Sequence, residues 1–190
     1  MSVPFSVARY LAAHADLGRR IDAATIQHAI EVVRAAHDAG RHIITCGNGG
    51  SAYAASHCVM EWNKVVTAAT GRQFRGISLC DNIGMLTAFA NDLSYDQVFS
   101  GQLAAILEPG DLVIAMSASG NSPSVVEAIE YANGHGADTL VVVGYDGGRL
   151  KQIARHAVWV PSFDMQLCED VHLMFVHMVM KALCGSAVET

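Results

Sequence analysis

The sequence predicts an α/β fold, a three-layer sandwich in which a five-stranded parallel sheet lies between layers of helices. Two observations carry this reading. Beyond residue 40, short apolar runs rich in β-branched residues alternate with helix-length segments, and those runs are apolar throughout instead of at every second position. Continuous apolar runs suit strands covered on both faces. Strand and helix in alternation imply right-handed crossovers into one parallel sheet. No linker, repeat or low-complexity stretch interrupts the pattern, so residues 1–190 read as a single domain.

Residues 5–18 and 23–38 read as helices. The second places Ile26, Ala29, Ile30, Val33 and Ala36 on one face and stops at Gly40. Residues 1–38 therefore form a helical extension ahead of the sheet. Strands are expected at 42–46, 77–80, 112–116, 139–143 and 157–160. Helices are expected near 52–65, 93–107, 123–134, 147–154 and 166–184.

Composition narrows the function. A hydrophobic fraction of 52% with 16% charged residues marks a well-packed chain, and implies that other subunits cover some helical surface. A net charge of −6 without a Lys/Arg cluster argues against a nucleic-acid partner. No apolar run approaches the ~18 residues of a membrane span. The opening MSVPFSVARYLAAHADLGRR has neither the apolar core nor the cleavage site of a secretory signal. Cys46, Cys58, Cys80, Cys168 and Cys184 form no C-x-x-C pair and read as reduced, mostly buried thiols of a cytoplasmic protein.

In such folds ligands sit beyond the C-terminal ends of the strands, and two strand ends carry unusual loops. Gly47-Asn48-Gly49-Gly50-Ser51 follows the first strand and leads into a helix. Its glycines let backbone N–H groups approach a ligand, and the helix start adds partial positive charge. Ser117-Ala118-Ser119-Gly120-Asn121-Ser122 follows the third strand, with Pro123 opening the next helix. An N-cap needs one serine. Three hydroxyls with backbone amides can hold a phosphate without a basic residue. No P-loop pattern occurs. Gly47-x-Gly49-x-x-Ala52 matches a relaxed dinucleotide fingerprint, but Asp81 lies too far along for its acidic partner, and the second loop would then have no purpose.

His57 and Glu61, four apart on the helix after the first loop, share a face and can act on one ligand or bind one metal. The last helix supplies Glu169, His172 and His177. Glu169 and His177 are eight residues apart, about 12 Å of helix, and the two histidines point about 140° apart. One of the histidines is structural, and spacing alone does not say which.

The segments GNGGSAYAASHCVMEW, AFANDLSYDQVF, AMSASGNSPSVVEAI, VGYDGG and EDVHLMFVH, in this order and spacing, resemble the sugar isomerase (SIS) domain, above all the sedoheptulose 7-phosphate isomerases, from about residue 20 onward. The resemblance implies a flavodoxin-like sheet and a homotetramer with active sites between subunits, residues 1–38 packing on neighbouring subunits as well. It implies aldose–ketose isomerisation of a sugar phosphate, with one zinc ion per subunit. Position by position it assigns substrate binding to Asn48, Gly49, Gly50, Ser51, Glu61, Asn91, Asp92 and Glu169, and phosphate binding to Ser117, Ala118, Ser119 and Ser122. Metal ligation falls to His57, Glu61, Glu169 and His177, acid–base catalysis to Glu61 and His177, and His172 matches a histidine that is not a ligand. Four positions depart from the pattern: Glu169 stands for a glutamine ligand, Ala118 for a threonine, Val65 for an arginine (with Lys64 beside it) and Gln166 for an aspartate. These departures bear on which sugar is used. Another seven- or eight-carbon ketose phosphate, or a non-catalytic sugar-phosphate sensor, is the alternative reading.

Overall fold

The computed structural model describes residues 4–186. Five parallel strands, β1 Ile43–Gly47, β2 Gly76–Ser78, β3 Leu112–Ser117, β4 Asp138–Val143 and β5 His156–Trp159, form one sheet in the order β2-β1-β3-β4-β5. β1 and β3 end level, Gly47 opposite Met116. The chain leaves β1 toward one edge and returns at β3 toward the other, so the loops after these two strands diverge. That crevice is where open α/β sheets bind ligands.

The central strands are buried on both faces, as the continuous apolar runs require. Leu112, Ile114, Met116, Leu140 and Val142 face one core, and Val113, Ala115, Val141 and Val143 the other. Fully burying each such side chain contributes roughly 1.5–3 kcal/mol. The first core is closed by α1 Val7–Arg20, α2 Ala23–Asp38, α3 Gly50–Glu61 and α9 Met165–Cys184. The second is closed chiefly by α6 Ser100–Ile106, α7 Pro123–Gly134 and α8 Gly148–Ile153.

The N-terminal helices are fastened by polar contacts as well as packing. Tyr10 donates its hydroxyl to Asp170 Oδ2 at 2.6 Å, and Arg34 Nη2 donates to the Ala182 carbonyl at 3.0 Å. α9 is started by Asp164, whose carboxylate accepts from the amides of Gln166 and Leu167.

The structure corrects three expected elements. The second strand stops at Ser78, and Leu79–Cys80 already turn. The helix expected at 93–107 does not form as one piece: a 3₁₀ turn, Tyr95–Gln97, precedes α6. An unexpected helix, α5 Ile83–Asp92, comes before it, capped by the Asn82 side chain accepting the Met85 amide at 3.1 Å. The helix expected at 52–65 begins at Gly50, passes after Glu61 into a π-helical turn, Trp62–Val66, and ends as α4 Thr67–Thr70. All five cysteines are free, and burial pushes the Cys46 and Cys58 thiols well above their usual pKa. Among the described residues, no helix is long and apolar enough to cross a membrane.

Candidate active site

α3 starts at the tip of β1 and runs beside α9, bringing three predicted side chains to one point. His57 Nε2 lies 2.9 Å from Glu61 Oε2, His177 Nε2 lies 3.3 Å from the same oxygen, and the two imidazole nitrogens are 3.2 Å apart. Around a tetrahedral zinc with bonds of about 2.0–2.1 Å, ligand atoms sit roughly 3.3 Å apart. The three donors thus already have the spacing of one face of such a site, and their chemistry, two imidazoles and a carboxylate, fits that ion. They open onto a cavity of about 720 Å³ whose lining includes Tyr53, Ser56, Asp81, Glu169 and Asp170.

The spacing has a tertiary cause. Trp62, next to Glu61, is fully buried and packs edge-on against Phe74 with ring centroids 5.6 Å apart. Its indole Nε1 donates to the Val176 carbonyl at 3.0 Å, one residue before His177. The end of α3 that carries Glu61 is therefore hooked to α9 beside its partner, and the π-helical turn begins at the hook. Such turns are rare and often mark functional sites.

The structure also separates the two histidines of α9. His177 is half exposed in the cavity. His172 is fully buried, its Nδ1 3.5 Å from Ser51 Oγ, its Nε2 without a well-aligned partner. Burial holds the His172 pKa down at about 4, the Val142 carbonyl offsetting part of the shift. Its folded pKa lies below the usual 6.5, so the unfolded chain takes up the proton first as pH falls. The resulting stability is complete above pH 6.5 and is lost as pH drops toward 4, in all of order 3 kcal/mol. Denaturant melts across that range should show a slope one proton shallower for His172→Gln than for the native chain.

The second loop is braced by its own hydroxyls around a small cavity. Ser117 Oγ accepts from the Gly120 amide at 3.1 Å, Ser119 Oγ from the Asn121 amide at 3.2 Å, and the Ser122 hydroxyl, at the N-cap of α7, makes no cap bond. Ser117, Ala118, Ser119 and Ser122 line a second, smaller cavity of about 120 Å³ with Asn48, Ser51 and Glu169. Asn48 is fixed from both sides: its Nδ2 donates to Ser124 Oγ at 2.9 Å, and Tyr95 Oη donates to its Oδ1 at 2.8 Å.

Glu169 is not with the other three expected metal ligands, because the turn of α9 that carries it faces the start of α3. A Cβ on Gly50 would lie 2.3 Å from Glu169 Oε1, so the carboxylate occupies the space that only glycine leaves open. A carboxylate is favoured there by the helix dipole. It lines both cavities and links them. Asn91 and Asp92, at the end of α5, are exposed, bond to each other at 2.8 Å, and line neither cavity of this chain. Sequence reasoning did not single out Trp62, Tyr95, Ser124 or Asp170. Asp81, too far along the sequence for the acidic partner of a dinucleotide site, accepts from Ser56 Oγ beside the cavity.

A family model described as SIS domain matches residues 9–144. The chain belongs to the SIS domain family. Among its SIS relatives, the phosphoheptose isomerase of Citrifermentans bemidjiense is 36% identical over 154 residues, 81% of this chain and 80% of the relative. That of Helicobacter pylori (strain P12) is 38% identical over 143 residues, 72% of this chain and 71% of the relative. Of solved structures, phosphoheptose isomerase GmhA from Neisseria gonorrhoeae superposes with a TM-score of 0.85 at 26% identity, over 93% of this chain and 96% of that one. The phosphoheptose isomerase from Francisella tularensis, at 21% identity and a TM-score of 0.84, shares the fold over 93% of this chain and 95% of its own.

Proposed function

We propose that this SIS protein interconverts sedoheptulose 7-phosphate and an aldoheptose 7-phosphate through a cis-enediolate, with Glu61 and His177 as the acid–base pair. Its class, an aldose–ketose isomerase of the phosphoheptose isomerase type, rests on relatives 36–38% identical over most of their length. The observation that carries the mechanism is the arrangement of the crevice. Two imidazoles that share the Glu61 carboxylate line one cavity, three serine hydroxyls line the next, and Glu169 lines both.

The phosphate lies against Ser117, Ser119 and Ser122 and the amides at the start of α7, its charge met by the helix N-terminus. The loop at Asn48, Gly49, Gly50 and Ser51 borders the chain's middle carbons. At the head, Glu61 takes the proton from C1 of the open-chain ketose, and the C1–H electrons become the enediolate double bond. His177 gives a proton to the C2 oxygen and takes one from the C1 hydroxyl. Glu61 then returns its proton to C2, so the sugar's formula is unchanged. Both imidazole contacts fall on Glu61 Oε2, which leaves Oε1 to carry the proton. His57, Glu61 and His177 would hold a zinc ion, Glu169 being the fourth ligand the resemblance implies, and the ion would supply positive charge toward the sugar oxygens.

The homotetramer belongs to the same reading. Tyr53, Met60 and Leu173 stand exposed beside the large cavity, and a neighbouring subunit seated there would cover them and bring further residues to the substrate. A location in the cytoplasm accords with the five free thiols.

The experiment is NMR of the purified chain with sedoheptulose 7-phosphate, other seven- and eight-carbon ketose phosphates, and unphosphorylated sedoheptulose. An aldose product from the first and none from the last is the expected result. Turnover of the unphosphorylated sugar at a comparable rate would remove the phosphate loop's role. No turnover of any phosphate would favour a sensor.

A further inference from the structure

At the opposite end of the sheet, α2 and β5 bring two more imidazoles together. His28 Nε2 lies 3.0 Å from His156 Nδ1. The other nitrogen of His156 lies 3.2 Å from Asp138 Oδ2, and Asp138 Oδ1 is itself pinned by the Thr139 amide at 2.9 Å. The three side chains border an open groove of about 490 Å³.

Two facing imidazole nitrogens cannot both carry a proton. Asp138 draws the His156 proton to Nε2, which turns the Nδ1 lone pair toward His28. Without a metal, His28 Nε2–H donates to that lone pair; with its proton moved to Nδ1, His28 would aim a second lone pair at the same point. Bonds of about 2.0–2.1 Å put neighbouring ligand atoms roughly 3.3 Å apart around a tetrahedral ion and about 2.9 Å apart around a tetragonal one. The observed 3.0 Å lies between these, close to the 3.2 Å separating His57 from His177. A carboxylate behind a ligating histidine is the usual support for a metal-bound imidazole.

We propose that His28 and His156 bind a divalent transition-metal ion of the zinc or copper type, with Asp138 orienting His156, independently of the His57–Glu61–His177 trio. Water completes the coordination. Glu31, one turn along α2, lines the groove but is engaged by Gln27 at 2.9 Å and Arg34 at 3.3 Å. The other charged group of the groove, Arg41, lies over Gly110 and donates to the Pro109 carbonyl at 3.3 Å.

The full chain, stripped of metal, is titrated with Zn²⁺ by calorimetry and with Cu²⁺ by electron paramagnetic resonance. One ion per chain is lost in His28→Gln and in His156→Gln, with isomerase turnover unchanged, and Asp138→Asn weakens that ion 10–100-fold. In a His57→Gln/His177→Gln background, Cu²⁺ gives a tetragonal spectrum with two nitrogen couplings, which His156→Gln abolishes. Unchanged stoichiometry in both His28→Gln and His156→Gln overturns the proposal. Loss of an ion in those variants, but none in His57→Gln/His177→Gln, upholds this site and removes zinc from the proposed active site.

Discussion

Glu61→Gln lowers kcat by at least 10²-fold and up to about 10⁴-fold, the range that a positioned acid–base group contributes, while KM for the sugar phosphate changes little. Glutamine keeps the size and an oxygen for His57 and His177, so the packing around Trp62 is undisturbed. What it lacks is an oxygen basic enough to take a carbon-bound proton. The phosphate cradle belongs to β3 and α7, not to α3, so binding survives the loss of turnover. Initial rates by NMR and calorimetric titration with sedoheptulose 7-phosphate separate the two effects. A rate within a few-fold of the native chain would take the base role from Glu61.

Gly120→Ala is expected to destabilise the protein by about 3 kcal/mol and to abolish binding of the phosphate end. Gly120 has φ +66°, and a Cβ there would meet the Gly147 carbonyl oxygen at 2.2 Å and the Gly148 amide nitrogen at 3.1 Å. The left-handed conformation costs a non-glycine residue roughly 1–2 kcal/mol. The rest comes from a clash with backbone, which has no rotamer to escape into. Gly40→Ala is the control: φ is +67°, but open space surrounds the new Cβ, so only the conformational cost applies. At roughly 2–4 °C per kcal/mol for a chain of this size, Gly120→Ala should melt roughly 6–12 °C below the native protein, well below Gly40→Ala. Equal melting points would mean that the contact between the Ser117–Ser122 loop and Gly147–Gly148 is not needed to hold the cradle.

Much of this architecture is legible in local sequence, because its signals are local. Continuous apolar runs mark strands buried on two faces, and Ile43–Gly47, Leu112–Ser117 and Asp138–Val143 fall within one or two residues of the expected segments. Glycine- and serine-rich loops at two strand tips announce a crevice, and His57 with Glu61 is a pair that helical spacing alone puts together. The failures have tertiary causes. Leu93 leaves the helical region with ψ −93°, which ends α5, and the stretch that reads as one helix from 93 to 107 becomes a 3₁₀ turn followed by α6. The π-helical turn depends on an indole reaching a carbonyl 114 residues away. No spacing rule separates His172 from His177, because the difference is burial. Glu169 lies over Gly50 through the packing of α9 on α3, and its eight-residue distance from His177 carries no trace of that contact.

The crevice as a working whole is tested most directly by running the isomerisation of sedoheptulose 7-phosphate in D₂O and locating the label by NMR. Deuterium at C2 of the aldose product, at C1 of recovered ketose, and at neither in Glu61→Gln is the expected result. Aldose formed by the native chain without solvent label at C2 would contradict proton transfer through an exchanging Glu61, and with it the enediolate route.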